Sequence, residues 1–242
     1  MQITNQKHTL FISDLHLEES APHITTKFLY FLENFAPQSQ GLYILGDFFE
    51  VWVGDDEQTP FQKMIMQKLN QLTQTGVPVF FMHGNRDFLI GKKFEQQTGI
   101  TIIKDPSLLN IYGKDLLLMH GDSLCWEDKA HQRFRKLTQN RFTQKLFLSL
   151  PISLRKKIGL ALRKESKKRT RQLQSYIMDV SPKAVEKAFH HFNPVLLIHG
   201  HTHQPAIHKI SAQQTRIVLG AWHDQGHMLV LQEDGDVSLV EI

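Results

Sequence analysis

Residues 78–91, PVFFMHGNRDFLIG, set an apolar run directly against a polar one. Pro78 to Met82 has the length and residue types of a short strand buried on both faces. It runs into His83, Gly84, Asn85, Arg86 and Asp87, then into a second apolar stretch that reads as a helix over 88–97. Asn and Asp are ordinary turn residues, because their side chains bond the nearby backbone. An Asn and an Arg side by side at the mouth of a strand can also hold a metal ion and a phosphate.

The same pattern recurs along the chain. TLFI precedes SDLHLEE, LYIL precedes GDFFE, LLLM precedes HGDS, and PVLLI precedes HGHTH. Helical patterns near 22–36, 58–75 and 182–191 lie between such runs. Alternating strands and helices predict an α/β layered fold. Ligands in such folds sit beyond the carboxyl ends of the strands, where all these polar clusters fall. The tail differs: TRIVLGAW, HMLVLQ and VSLVEI read as strands joined by the turn signals HDQG and EDGD, and LLNIYGKDLLLMH reads as a hairpin. A mixed sheet or two packed sheets follow.

Residues from about 125 to 177 interrupt this pattern. Phe142, Leu146 and Leu150 recur at i, i+4, i+8, as do Leu154, Ile158 and Leu162. Ser153 is placed to cap a helix after Pro151. The stretch reads as a helical insertion, or cap, within one domain covering 1–242, because its ends return to the sheet pattern.

The 242 residues are 41% hydrophobic and 21% charged, which is ordinary for a chain that buries a sizeable core. The single cysteine, Cys125, excludes an intrachain disulfide and suits a reducing compartment. The opening residues do not read as a secretory leader, and no stretch reaches the ~20 apolar residues of a membrane span. The net charge of +4 hides an asymmetry: nine Lys and Arg against one acid, Glu165, lie between Arg155 and Arg171. Such a block points to an anionic partner, whether phosphate ligand, membrane surface or nucleic acid, or to a solvated helix face.

The polar clusters together supply Asp14, His16, Asp47, Asn85, His120, His201 and His203. All are oxygen or nitrogen donors, with no thiolate. Alternation puts Asp14 and His16 on one side of an extended chain, and likewise His201 and His203. The set suits Mn²⁺, Fe²⁺ or Zn²⁺, and its carboxylates and amide oxygen tilt it toward harder ions.

SDLHL, GDFFE, HGNRD, HGDS and GHTH, in this order and spacing, resemble the calcineurin-like metallophosphoesterases from Phe11 to about His203. That resemblance implies a four-layer α-β-β-α sandwich with two metals. It implies that Asp14, His16 and His203 hold one metal, that Asn85, His120 and His201 hold the other, and that Asp47 bridges them. Asp47, Asn85, Arg86 and His120 become the expected catalytic residues.

One position departs from the broad family, which has His where Arg86 stands. Arginine is essentially never deprotonated, so it is a poor general acid but a strong bidentate phosphate binder. A leaving phosphate, with a second pKa of about 6, needs no proton donor. Arg86 therefore favours a pyrophosphate substrate. With GDFFEVWVGDD, HGDSLCWEDKAHQRFR and IMDV, it resembles the sub-family of UDP-2,3-diacylglucosamine diphosphatases of lipid A biosynthesis. Membership implies UDP-2,3-diacylglucosamine as substrate, two Mn²⁺ ions as cofactor, and a peripheral position on the anionic cytoplasmic face of the inner membrane. It also implies that Asn85, Arg86, Asp128, Ser166, Thr170 and His201 contact substrate. Relatives tend to have Asn at Thr170 and Lys at Leu173, so contacts there differ. Phe147, Leu150, Ile152, Leu154 and Ile158 are expected to line an acyl groove, and the basic block to face headgroups. The rival is another phosphodiesterase or nuclease that uses the basic block on nucleic acid. The block is interleaved with Leu and Ile and not with stacking aromatics, so nucleic acid is not expected.

Overall fold

A computed structural model describes residues 6–172, 179–223 and 225–242, without the side chains of residues 167 and 169–172. Strand alternation splits the core into layers. In β1 (His8–Ile12), Leu10 and Ile12 face one cluster and Phe11 faces another. In β2 (Leu42–Leu45), Leu42 and Ile44 divide from Tyr43 and Leu45 in the same way. These strands join β3 (Val79–Met82), β4 (Thr101–Ile103), β10 (His227–Gln232) and β11 (Val237–Glu241) in a six-stranded sheet of order β11-β10-β1-β2-β3-β4.

The second sheet contains β5 (Ser107–Ile111), β6 (Lys114–Met119), β7 (Leu196–His199), β8 (Ala206–Lys209) and β9 (Thr215–Val218), in the order β5-β6-β7-β9-β8. Leu116, Leu118 and Ile198 meet Phe11, Tyr43 and Leu45 in the core between the sheets. Leu117, Met119 and Leu197 point away from it. Helices cover both outer faces. Helices α1 (Pro22–Asn34), α2 (Pro60–Gln74) and α3 (Lys92–Thr98) bury Phe28, Phe31, Leu69 and Phe94 on the first sheet. Between Asp122 and the second sheet's own helix come α4 (Lys129–Thr138), α5 (Arg141–Leu148) and α6 (Ile152–Gln172). Helix α7 (Pro182–Phe192) then packs Ala184, Val185 and Phe189 on the second sheet. The expected four layers are present, and among the described residues α4, α5 and α6 lie between β6 and α7.

Several boundaries depart from the sequence reading. Strands β4 and β8 were not expected; each has three or four residues and only partly buried or exposed side chains. Helix α3 begins at Lys92 and not at 88. The reason is remote: Asp55 accepts from the backbone N–H groups of Gly91, Lys93 and Phe94 at 3.0–3.1 Å, which fixes the first turn there. Ser153 is not a cap. Arg155 N–H donates to Pro151 C=O at 3.1 Å, so α6 starts at Ile152 and Ser153 lies inside its first turn.

The topology concentrates the polar clusters. β1, β2 and β3 pair in parallel, as do β6, β7 and β9. The carboxyl ends of β1, β2, β3, β6 and β7 thus converge on one edge of the two sheets.

Candidate metal centre

The backbone is strained where the donors sit. Among the described residues, Asp14, His16, Asp47, His201 and His203 all have φ between 49° and 68°, the left-handed region that non-glycine residues avoid. Such conformations cost of order 1–3 kcal/mol each and persist where surrounding contacts impose them. Here those contacts are backbone bonds between the strand-end loops. Asp14 N–H donates to Gly46 C=O at 3.0 Å, His16 N–H to Asp47 C=O at 2.9 Å, and Leu17 N–H to Phe48 C=O at 2.8 Å. Gly200 must lack a side chain, since a Cβ there would collide with the Asp14 carboxylate and Ser13 Oγ.

Two donor groups result. Donor atoms of Asp14, His16 and His203 lie within 4.8 Å of one another, as do those of Asp47, His120 and His201. Asp47 lies between the groups. Its Oδ2 is 4.0 Å from His16 Nε2, and its Oδ1 is 3.7 Å from His120 Nε2. Asn85 joins the second group. One terminal atom of its carboxamide faces His201 Nδ1 at 3.0 Å and both Asp47 Oδ2 and His120 Nε2 at 3.2 Å. An NH₂ has two hydrogens and cannot serve three acceptors. An amide oxygen in that place meets only other donors to metal, an arrangement that a cation reconciles. His16 Nε2 and His203 Nε2 face each other at 3.3 Å in the first group. The residues present therefore fit divalent ions.

The electrostatics agree. Burial alone would raise the Asp14 carboxyl, but His203, His120 and His16 hold it well below the usual range. Burial alone would lower His120, yet Asp47, Asp122 and Asp14 push it up to about 9. A buried imidazole drawn toward protonation reports excess negative charge, the balance a cation site carries. Burial and the nearby His120 push His201 well below its ordinary value. His120 Nδ1 is 2.8 Å from Leu45 C=O, to which it donates, leaving Nε2 as the free donor atom.

The surrounding residues include several that sequence reading left without a role. Buried Asp87 accepts from Phe48 N–H at 2.7 Å and Gly84 N–H at 2.8 Å, tying two donor loops together. Burial and neighbouring Asp47 push its carboxyl up to about 7. Glu50 Oε2 lies 3.1 Å from His16 Nδ1. The His131 ring sits 5.2 Å from that of His201. Glu50 and Asp87 stand inside the motifs GDFFE and HGNRD, but His16 beside Glu50 and Phe48 N–H on Asp87 come from other loops, which no local pattern reveals.

Arg86 N–H donates to Asp47 Oδ1 at 2.9 Å, and its guanidinium Nη2 donates to Ser166 Oγ on α6 at 3.2 Å. Beside them opens a cavity of about 480 Å³, bounded by Asn85 and Arg86 on one side and by Phe88, Leu89, Phe147, Ile158 and Leu162 on others. Of the five expected groove residues, Phe147 and Ile158 line it; Leu150, Ile152 and Leu154 do not. Asp128 does not line it either. Its carboxylate caps α4, accepting from His131 N–H at 2.9 Å. Thr170 is on α6, with its side chain outside the described ones, and Leu173 also lies outside the described residues.

The basic block is partly consumed within the chain. Buried Arg155 donates to Val53 C=O at 2.7 Å and to Asp56, Lys156 pairs with Glu57 at 2.5 Å, and Arg163 pairs with Glu50. Lys157, Lys164 and Lys168 remain exposed. Phe142, Leu146 and Leu160 are 76%, 60% and 63% exposed, so much of the inserted helices' apolar surface faces outward.

Residues 7–205 match the family model of the calcineurin-like phosphoesterases. A UDP-2,3-diacylglucosamine hydrolase of Coxiella burnetii (strain RSA 331 / Henzerling II) is 51% identical over 236 residues, 96% of this chain and 97% of that one. A protein of the same name from Pseudomonas fluorescens (strain SBW25) is 48% identical, covering 93% of this chain and 92% of its own. A solved structure described as a novel archaeal phosphodiesterase superposes with a TM-score of 0.52 at 12% identity, over 97% of this chain and 99% of that one, a likeness of fold alone. Matched over most of its length, and sharing about half its residues with relatives of its own size, the chain belongs to the calcineurin-like phosphoesterase family.

Proposed function

We propose that the chain hydrolyses the pyrophosphate bond of UDP-2,3-diacylglucosamine, giving UMP and 2,3-diacylglucosamine 1-phosphate. The names of its relatives support the substrate. The observation that carries the reading is the joining of two donor groups through Asp47, beside a largely apolar cavity that opens at Arg86. A polar reaction centre next to an apolar pocket suits a substrate with a nucleotide diphosphate at one end and acyl chains at the other.

Asp14, His16 and His203 are assigned to one ion, Asn85, His120 and His201 to a second, and Asp47 to both. Mn²⁺ suits this mixture of carboxylate, amide and imidazole donors. Two such ions would lower the pKa of a water and offset charge on the phosphoryl oxygens. Arg86 binds and orients the diphosphate through its guanidinium, held in place by Ser166. It donates no proton, and none is needed, because the departing lipid phosphate leaves as a stable anion. His201, Ser166 and Asp128 are assigned to the polar part of the substrate, and Thr170 by its position on α6. Phe88, Leu89, Phe147 and Leu162 take the acyl chains and exclude water.

The chain acts as one domain with α4–α6 as its cap. Exposed Lys157, Lys164 and Lys168, together with outward Phe142, Leu146 and Leu160, suit the anionic cytoplasmic face of the inner membrane. Turnover of UDP-2,3-diacylglucosamine, bis(p-nitrophenyl) phosphate and single-stranded DNA with Mn²⁺ tests the proposal. Efficient release of UMP from the first supports it. Hydrolysis of the other two with none of the first would leave the family and overturn the substrate.

A further inference from the structure

Glu50 and Arg163 form a chain of contacts that leads from the inserted helices to a donor of the metal centre. Glu50 follows β2 by five residues. Its backbone N–H donates to Leu17 C=O at 3.2 Å, and Leu17 pairs with Phe49 across the loops. This register sets the Glu50 side chain beside His16. Glu50 Oε2 faces His16 Nδ1 across 3.1 Å, while the other nitrogen of that ring, Nε2, faces His203 Nε2 at 3.3 Å. The other Glu50 oxygen, Oε1, accepts from Arg163 Nε on α6. Glu50 is buried, so water competes little for either oxygen. Two turns earlier on the same helix, Arg155 fastens α6 to Val53 and Asp56; one turn later, Ser166 meets Arg86.

We infer that Glu50 is a positioning residue that fixes the tautomer and tilt of His16, and that Arg163 lets the placement of α6 set how well it does so. A carboxylate that accepts the Nδ1 hydrogen of an imidazole leaves the Nε2 lone pair aimed at the cation and raises its donor strength. The Arg163 ion pair holds that carboxylate on one rotamer. Because α6 also walls the acyl cavity, the same contact relates lipid seating to metal binding. This inference rests on the reading of Asp14, His16 and His203 as metal ligands.

The experiment measures Mn²⁺ affinity of the metal-free full chain by calorimetry for wild type, Glu50→Ala, Glu50→Gln, Arg163→Ala and the Glu50→Ala/Arg163→Ala double variant. Outer-shell partners of ligating histidines typically contribute about 10- to 100-fold in metal affinity, and that loss is expected for Glu50→Ala. Glu50→Gln keeps an acceptor for Nδ1 but not the ion pair, and is expected to lose less. It also preserves the test if Glu50→Ala fails to fold. Arg163→Ala is expected to weaken binding several-fold alone and not at all in the Glu50→Ala background. ¹⁵N-detected histidine spectra of the metal-free chain should show His16 as the Nδ1–H tautomer in wild type and a mixture in Glu50→Ala, a change that loss of packing alone would not give. Unchanged Mn²⁺ affinity in Glu50→Ala and Glu50→Gln would overturn the inference while leaving the metal reading intact. So would an Arg163→Ala effect that is the same in both backgrounds. A wild-type chain that binds no Mn²⁺ overturns both.

Discussion

Arg86 is tied in through two different parts of the residue. Its backbone N–H fixes Asp47, and its guanidinium reaches Ser166 on α6. The two roles separate under mutation. Arg86→His or Arg86→Ala keeps the backbone bond, so Mn²⁺ affinity should hold. Hydrogen bonds to a charged group contribute about 1.5–3 kcal/mol, so kcat/KM on the pyrophosphate substrate should fall about 10- to 100-fold. Steady-state kinetics check this, and full activity in Arg86→His would remove the reason given for a pyrophosphate substrate. Cys125 is the opposite kind of residue. Burial, with Asp122 adding negative charge, pushes its thiol up to about 12. Almost no thiolate exists at pH 8, so iodoacetamide should label the folded chain far more slowly than the urea-unfolded one; equal rates would contradict that burial. At this scale the sequence was legible for the donors themselves, because Asp, His and Asn at strand ends advertise their chemistry. Glu50 and His131 were not legible, because their roles depend on which loops lie beside them.

At the scale of elements, the buried Arg155 guanidinium fastens the start of α6 to the loop after β2. Arg155 donates to Leu150 C=O at 3.0 Å, to Val53 C=O at 2.7 Å and to Asp56. Arg155→Ala strands two carbonyls, and each buried polar group left unpaired costs about 1–3 kcal/mol. The inserted helices should then open more often than the sheets unfold. Limited proteolysis should cut within 129–172 at least several-fold faster than in wild type; identical cleavage would show that α6 is anchored elsewhere. The long apolar strands could be read from sequence because both faces of β1, β2 and β7 are buried. Short β4 and β8 lack that signature. The start of α3 depends on Asp55, some 36 positions away, and local periodicity cannot carry such information. The basic run between Arg155 and Arg171 was legible as charge but not as pairing. Three of its members turn inward to Asp56, Glu57 and Glu50.

For the whole molecule, the donor loops come from both sheets, so ions bound between them cross-link the two halves of the core. A ligand at 100 times its Kd that binds only the folded state adds about 2.7 kcal/mol. For a chain of this size the melting temperature should rise by about 5–10 °C on adding Mn²⁺ and fall again with EDTA. Scanning calorimetry measures it, and no shift would mean that the loops hold no ion. The four-layer architecture was legible from alternating strands together with a five-block resemblance. The convergence of two sheets on one edge was not visible in any single block.

The most direct test is ³¹P NMR of UDP-2,3-diacylglucosamine turnover in H₂¹⁸O, with Mn²⁺ and with Asp47→Ala as control. Water attacking the α-phosphorus at the centre shared through Asp47 predicts ¹⁸O on the phosphate of UMP, none on the lipid phosphate, and no turnover by the variant. Label on the lipid phosphate, or undiminished hydrolysis by Asp47→Ala, would contradict it.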